Sequence, residues 1–164
     1  MGLFGKARLT ADAGLIPSVV PYPLLRAHLG NQTPFFNGSS FNTMRYFEFV
    51  SDRYAQLNYQ HYFEGLGLNS LPLIKKWNLR LLASGNILFG SVSNKNIAFS
   101  RSQDSNANEK LPFLELDRGP FAEVGYGIEN IFRFVRVDFI HRLTYLDNPG
   151  ARPFVVKVSA QFKL

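Results

Sequence analysis

The last stretch of the chain alternates apolar and polar residues. Phe154, Val156, Val158, Ala160, Phe162 and Leu164 are apolar, Lys157, Ser159, Gln161 and Lys163 are polar, and Val155 alone breaks the rule. Successive side chains on a strand point to opposite faces, so this pattern predicts a strand with one dry and one wet face. The same period recurs upstream. Over 3–15, Leu9, Ala11, Ala13 and Leu15 oppose Lys6, Arg8, Thr10 and Asp12. Over 53–63, Ala55, Leu57, Tyr59 and Phe63 oppose Gln56, Asn58 and Gln60. Over 77–89, Trp77, Leu79, Leu81, Ala83, Ile87 and Phe89 oppose Asn78, Arg80, Ser84 and Asn86, with Leu82 and Leu88 intruding on the polar side. Over 121–130, Ala122, Val124, Tyr126 and Ile128 oppose Glu123, Gly125, Gly127 and Glu129. Over 133–146, Val135, Val137, Phe139, Leu143 and Tyr145 oppose Arg136, Asp138, Arg142 and Thr144.

Six strands result, most of them 11 to 14 residues long. Strands of soluble domains run about five or six residues, whereas a tilted membrane-crossing strand needs roughly 9 to 11. The connections alternate: 16–44, 91–119 and the DNPGARP turn fall at one end of the strands, and 64–76 and the tight turn near Asn130 at the other. Short turns at one end and longer loops at the other are the habit of outer-membrane barrels. Trp77, Tyr62, Tyr54 and Tyr145 near strand ends suit interfacial girdles, although aromatic residues favour strands in any case. The expected class is therefore all-β, an antiparallel transmembrane β-barrel wall of about six long strands. The smallest such barrels have about eight strands, so the expectation is a C-terminal fragment of a larger barrel or a part of an assembly.

Composition sharpens this reading only in places. Sixteen Phe and seven Tyr make the apolar content unusually aromatic, which favours strands. No apolar run approaches the roughly 18 residues of a membrane helix. MGLFGKARLTADAG sets charges where a signal peptide needs its apolar segment, so an export signal is expected upstream. Cysteine is absent, which removes disulfides and thiolate metal sites. A net charge of +6 raises nucleic acid as a partner, but the basic residues are scattered, and none is expected.

Candidate chemistry is sparse. His28, His61 and His141 lack metal-site spacing, and His61 and His141 fall on apolar faces, where packing is the simpler role. GYGIEN lies within a strand and is not a dinucleotide fingerprint; Gly125 and Gly127 are expected to relieve crowding or permit curvature. Glu123, Glu129 and Asp138 share a face with Arg136 and Arg142, and a salt network there is favoured over a glycosidase pair. Lys6, Arg8, Asp12, Arg80, Glu123, Glu129, Arg136, Asp138, Arg142 and Lys157 are accordingly expected to face a lumen. With Lys163 the inward set has seven basic and four acidic side chains, so an open lumen would prefer anions. The segment Ile16 to Met44 holds Pro17, Pro21, Pro23 and Pro34 among apolar residues, too sticky for a free loop. Its Pro21, Tyr22, Pro23, Leu24, Leu25 and Arg26 are expected to fold inward, with Arg26 meeting Asp138 or Glu123. Val158, Ala160, Phe162 and Leu164 have the character of a C-terminal assembly signal.

The blocks VPYPLLRAHLGNQTPFF, FNTMRYFEFVSDRYA, LPLIKKWNLR and GIENIFRFVRVDFIHRLTYLD resemble the C-terminal barrel of a Bacteroidetes outer-membrane family of unknown function. Full-length members of that family carry an N-terminal carboxypeptidase-regulatory-like domain, which implies no peptidase activity. The family is distantly similar to the barrel-assembly and two-partner-secretion barrels of roughly 16 strands. That similarity implies that these are the last six strands and that 16–44 takes the place of the loop folded into the lumen. The Arg-Gly-aromatic signature of that loop is missing, since the segment reads PYPLLRAH with Arg26 its only arginine.

The expected function is a non-enzymatic outer-membrane β-barrel protein of a Gram-negative bacterium, serving envelope biogenesis, transport or surface attachment. No cofactor is expected. Expected partners are outer-membrane lipid, the barrel-assembly machinery during insertion, and the remaining strands of the parent protein or an assembly partner. The alternatives are the C-terminal strands of a TonB-dependent transporter and a soluble ligand-binding β-barrel.

Overall fold

A computed structural model describes residues 5–63, 78–103, 111 and 113–160. Six strands form one antiparallel sheet: β1 (Lys6–Leu15), β4 (Arg53–Tyr62), β5 (Arg80–Ser91), β6 (Phe121–Ile131), β7 (Val135–Arg142) and β8 (Phe154–Ala160), in that spatial order. A short ribbon pairs β2 (Arg26–Ala27) with β3 (Val50–Ser51); among the described residues an α-helix, α1, spans Asn94–Gln103 and a 3-10 turn spans Tyr22–Leu24. The chain is thus mostly β, with each long strand paired to its neighbour in sequence. Strand β1 joins β4 in unbroken register from Lys6 opposite Tyr62 to Leu15 opposite Arg53. The expected starts at Leu3 and Trp77, the 64–76 turn, and Phe162 and Leu164 lie outside the described residues.

Two differences from the sequence reading have local causes. The strand expected over 133–146 is Val135–Arg142. At its start the chain turns through positive φ at Asn130, Phe132 and Arg133. At its end Tyr145 takes a φ of 55° and its hydroxyl donates to Gly119 O at 2.6 Å, which pulls the backbone out of the sheet. The stretch after Ser91, read as loop, contains α1. Its start is held by Asp52, whose Oδ2 accepts from Ser93 N at 2.7 Å and Asn96 Nδ2 at 3.0 Å.

Burial is inverted relative to an ordinary soluble sheet. On one face the alternating apolar residues are exposed: Leu9 63%, Phe89 52%, Tyr126 55% and Val156 46%. The opposite face buries Glu123, Glu129, Arg136, Asp138, Arg142 and Lys157. What covers that face is the chain's own 16–52 segment together with 113–119 and 143–149. At their meeting point Phe41, Met44, Phe49, Leu116 and Tyr145 pack with Leu88 and Phe121 of the sheet, a dry plug under one end of the strands. A second cluster joins Leu25, Val50, Val92 and Phe113. Leu82 and Leu88, the two intruders on the polar side of β5, are both buried, Leu88 within the first cluster.

The sheet is strongly curled. Arg136 Nη1 of β7 donates to the Tyr62 hydroxyl of β4 at 3.3 Å, across two intervening strands. Close packing on the concave face needs the glycines of β6: a Cβ on Gly127 would stand 2.5 Å from Val137 O, and one on Gly125 2.6 Å from Ser84 Oγ.

The buried polar face as candidate functional site

Three charged clusters fasten the inner segment to the sheet. In the first, Glu123 accepts from Asn42 N at 2.8 Å, Thr43 N at 2.8 Å, Thr43 Oγ1 at 2.6 Å and Asn86 Nδ2 at 2.8 Å. A carboxylate with four donors is fully solvated by protein. In the second, Glu48 of the inner segment takes Arg142 of β7 in a two-pronged pair, Nη2 to Oε1 at 2.7 Å and Nη1 to Oε2 at 3.1 Å. Arg45 N and Asn148 Nδ2 add donors at 2.9 and 3.1 Å. Burial alone would raise the Glu48 pKa, but the hydrogen bonds from Arg142, Arg45 N–H and Asn148, with the arginine's charge, hold it below the usual value. In the third, Lys157 Nζ donates to Asn31 O at 2.9 Å and to Thr33 O.

Arg136 and Asp138, two positions apart on one face of β7, form a closed pair of their own, Nε to Oδ2 and Nη2 to Oδ1 both at 2.7 Å. The guanidinium lies 4.1 Å from the Phe36 ring centre, so this pair is roofed by the inner segment. Arg80 and Glu129 stand 3.6 Å apart, with Arg80 partly exposed. Lys6 and Arg8 on β1 are exposed, and Asp12 is half-buried.

Arg26 does not meet Asp138 or Glu123. It reaches Asp12 instead, at 3.4 Å and partly exposed, because β2 pairs with β3 and holds Arg26 opposite Ser51. The Asp12 carboxylate also takes the Tyr54 hydroxyl at 3.2 Å. Of the Pro21–Leu25 stretch, Leu25 is buried, Tyr22 stacks on Phe113 at 5.3 Å, and Leu24 is exposed. The anchoring is done further along the segment, by Asn31, Asn42, Thr43 and Glu48. These residues went unremarked in the sequence; the one available signal was Glu48, an acid between Phe47 and Phe49. Val158 lies on the exposed face and Ala160 is exposed at the end of β8.

A buried histidine belongs to the same region. His28 Nε2 shares a hydrogen bond of 3.0 Å with Ser51 Oγ, and its ring meets Tyr54 edge-on. Burial first, and the Arg26 charge second, push its pKa down to about 4 despite the opposing pull of Asp12. His61 and His141 lie among aromatics: His61 is 4.4 Å from the Phe63 ring, and His141 is 4.8 Å from Phe154. Among the described residues, no cluster of three His, Asp or Glu side chains could hold a metal ion.

The match to known proteins falls on this segment. Residues 18–99 match the C-terminal domain of a family of unknown function (DUF5686). The chain belongs to that family. No curated protein and no solved structure matches the chain. The span matched to DUF5686 carries Asn42, Thr43 and Glu48, whereas their partners Glu123 and Arg142 lie beyond it, so the clusters tie the matched half of the domain to the rest.

Proposed function

We propose that this DUF5686 domain is part of the wall of an outer-membrane β-barrel in a Gram-negative bacterium, with a non-enzymatic role. One observation carries the reading: the sheet exposes its apolar face and buries its charged one. In water that arrangement would strand a broad apolar surface, which soluble proteins avoid. In a bilayer it is the expected one, because lipid takes the place of the core. The exposed face also has a groove of about 380 Å³ where Ala11, Ala13 and Ala55 leave room beside Leu57 and Phe89, a shape suited to an acyl chain.

A soluble carrier would need the apolar residues inside, so the inverted burial speaks against it. The parent barrel would be completed by further strands of the same protein or of an assembly partner, and inserted by the barrel-assembly machinery. The plug around Phe41, Met44 and Phe49 fills one end of the concave face, which favours envelope biogenesis or surface attachment over free diffusion through an open lumen. A kinship with Bacteroidetes outer-membrane proteins that carry a carboxypeptidase-regulatory-like domain, and with barrel-assembly relatives, accords with this reading.

The test is a pair of substitutions on adjacent residues of β8. Val158→Arg puts a charge on the apolar face and should cost about 2 to 4 kcal/mol near the bilayer midplane, enough to block assembly. Ser159→Arg, on the opposite face, should assemble as well as the parent protein. Folded protein is read in outer-membrane fractions by heat-modifiable migration; equal assembly of the two variants would overturn the lipid-facing assignment.

A further inference from the structure

At the end of the concave face remote from the plug lies a cavity of about 370 Å³. That is in the lower part of the range of small-molecule pockets. Its walls come from both outermost strands and from the inner segment: Arg8 and Thr10 of β1, Gln60 of β4, Arg136 of β7, Ser159 of β8 and Ser39. The curl of the sheet brings them together, since β1 and β8 are at opposite edges of the strand order. The inner segment comes close to the sheet at this cavity, with Gln60 Nε2 only 2.7 Å from where a Cβ on Gly38 would stand.

The lining is rich in donors and contains no carboxylate. Arg136 is already committed, two-pronged to Asp138 and with its third nitrogen on Tyr62. The Tyr62 hydroxyl in turn donates to Gln60 Oε1 at 2.8 Å, which turns the amide so that its NH₂ is the group left to offer. Arg8 has no carboxylate partner among the described residues. Deeper in the concave face the buried acids Glu48, Asp52, Glu123, Glu129 and Asp138 outnumber Arg136, Arg142 and Lys157, but each acid has a donor or cation of its own, and none of them lines the cavity. The cavity therefore presents one uncompensated guanidinium beside the Gln60 NH₂ and the hydroxyls of Thr10, Ser39 and Ser159, together with the carbonyl of Asn58, whose own NH₂ goes to Asn86 Oδ1 at 3.1 Å.

We propose that this cavity binds a small hydroxylated oxyanion, a carboxylate or a phosphate. Arg8 meets the anionic group, and Gln60, Ser39, Thr10 and Ser159 take the neighbouring oxygens. The inference does not depend on what covers the outer face. Calorimetric titration of the intact purified protein with sodium glucuronate, sodium phosphate and neutral methyl glucoside tests it. One or both anions should bind while the neutral sugar does not. Glucuronate alone would assign a carboxylate, phosphate alone a phosphate. Arg8→Gln, at an exposed position where folding should be unaffected, is expected to weaken binding at least about tenfold. Arg101→Gln in α1, outside the cavity, should leave it unchanged. Three outcomes would each overturn the proposal: no binding of either anion up to the order of 10 mM, equal binding of methyl glucoside, or undiminished binding by Arg8→Gln.

Discussion

Glu48 and Arg142 meet from 94 positions apart, both fully buried, and neither could stay charged there alone. Removing one partner leaves the other as an uncompensated buried charge, so Arg142→Met should cost about 3 to 5 kcal/mol. The double variant Glu48→Gln, Arg142→Met should recover much of that loss in a denaturant titration, because no buried charge remains. If the single and double variants are equally weak, the pair matters through shape rather than charge. Acid should act on this residue and on His28 in separate windows. The folded Glu48 pKa lies below its ordinary 4.5, so its contribution is present above that value and is lost as pH falls through the depressed pKa. For His28 the ordinary value is 6.5 and the folded value about 4. The folded state thus binds fewer protons between these pH values, and stability is full above about 6.5 and falls by about 3 kcal/mol on the way to pH 4. Unfolding midpoints measured from pH 7.5 to 4 should slope downward in the parent protein. His28→Gln should flatten that slope, and an unchanged slope would place the acid sensitivity elsewhere.

Among the elements, the inner segment holds its shape through side chains rather than a ladder. Asn31 alone donates Nδ2 to Phe35 O at 2.7 Å and to Asn42 Oδ1 at 2.8 Å, while its Oδ1 accepts from Thr33 N at 3.0 Å and Thr33 Oγ1 at 2.7 Å. Asn31→Ala removes all four and leaves the Asn42 carbonyl group with fewer donors, at a cost of about 2 to 4 kcal/mol. Limited proteolysis should then cut 32–37 faster than in the parent protein while the β-strands keep their circular-dichroism signal; unchanged cleavage would mean that the segment is held from elsewhere. This kind of order explains what was legible in the sequence. The long strands were, because a period of two over ten residues is a direct imprint of two unlike faces, as in β1 and β4. The helix α1 was not. Its sequence NKNIAFSRSQ has little apolar periodicity, and it is held by tertiary anchors: Asp52 at its start, and Asn96 Oδ1 accepting from Val20 N at 2.9 Å. Nor could Arg26's partner be read in advance, since choosing Asp12 over Asp138 or Glu123 depends on the two-residue β2–β3 ribbon, too short to leave a pattern. The intrusions of Leu82 and Leu88 were visible, but their meaning, as places where the polar face is covered, needed the fold.

The two edges of the sheet are unlike. Strand β1 pairs with β4 on one side, and among the described residues no strand pairs with its other side. Strand β8 is different. Val158 N donates to Pro34 O at 2.9 Å and Phe36 N donates to Val158 O at 3.0 Å, a parallel bridge in which Phe35 faces Val158. The inner segment therefore occupies part of the edge that a neighbouring strand would use. Pro34 has no N–H to donate, so it cannot extend this pairing as a regular strand would. An unpaired edge invites strand addition, and a closed barrel removes the hazard by pairing every edge. On the barrel reading proposed above, either the Phe35 bridge persists in the complete protein, with the neighbouring strand pairing only beyond Val158, or the neighbouring strand displaces it. Bridge partners lie within the Cα separation a disulfide needs, about 4.4 to 6.8 Å, and the chain has no cysteine of its own to interfere. Phe35 and Val158 are both exposed on the chain's surface, so a membrane-permeant oxidant should reach cysteines there even under lipid. We expect Phe35→Cys with Val158→Cys to crosslink readily in the intact protein in native membranes, because Lys157 and Asn31 fasten the segment just beside the bridge. The crosslink would be read as a shift in denatured, non-reduced migration that reductant reverses. If both thiols instead stay free and react with a small maleimide in folded protein, a strand of the completed barrel has taken the edge, and the bridge belongs to the domain only when it stands alone.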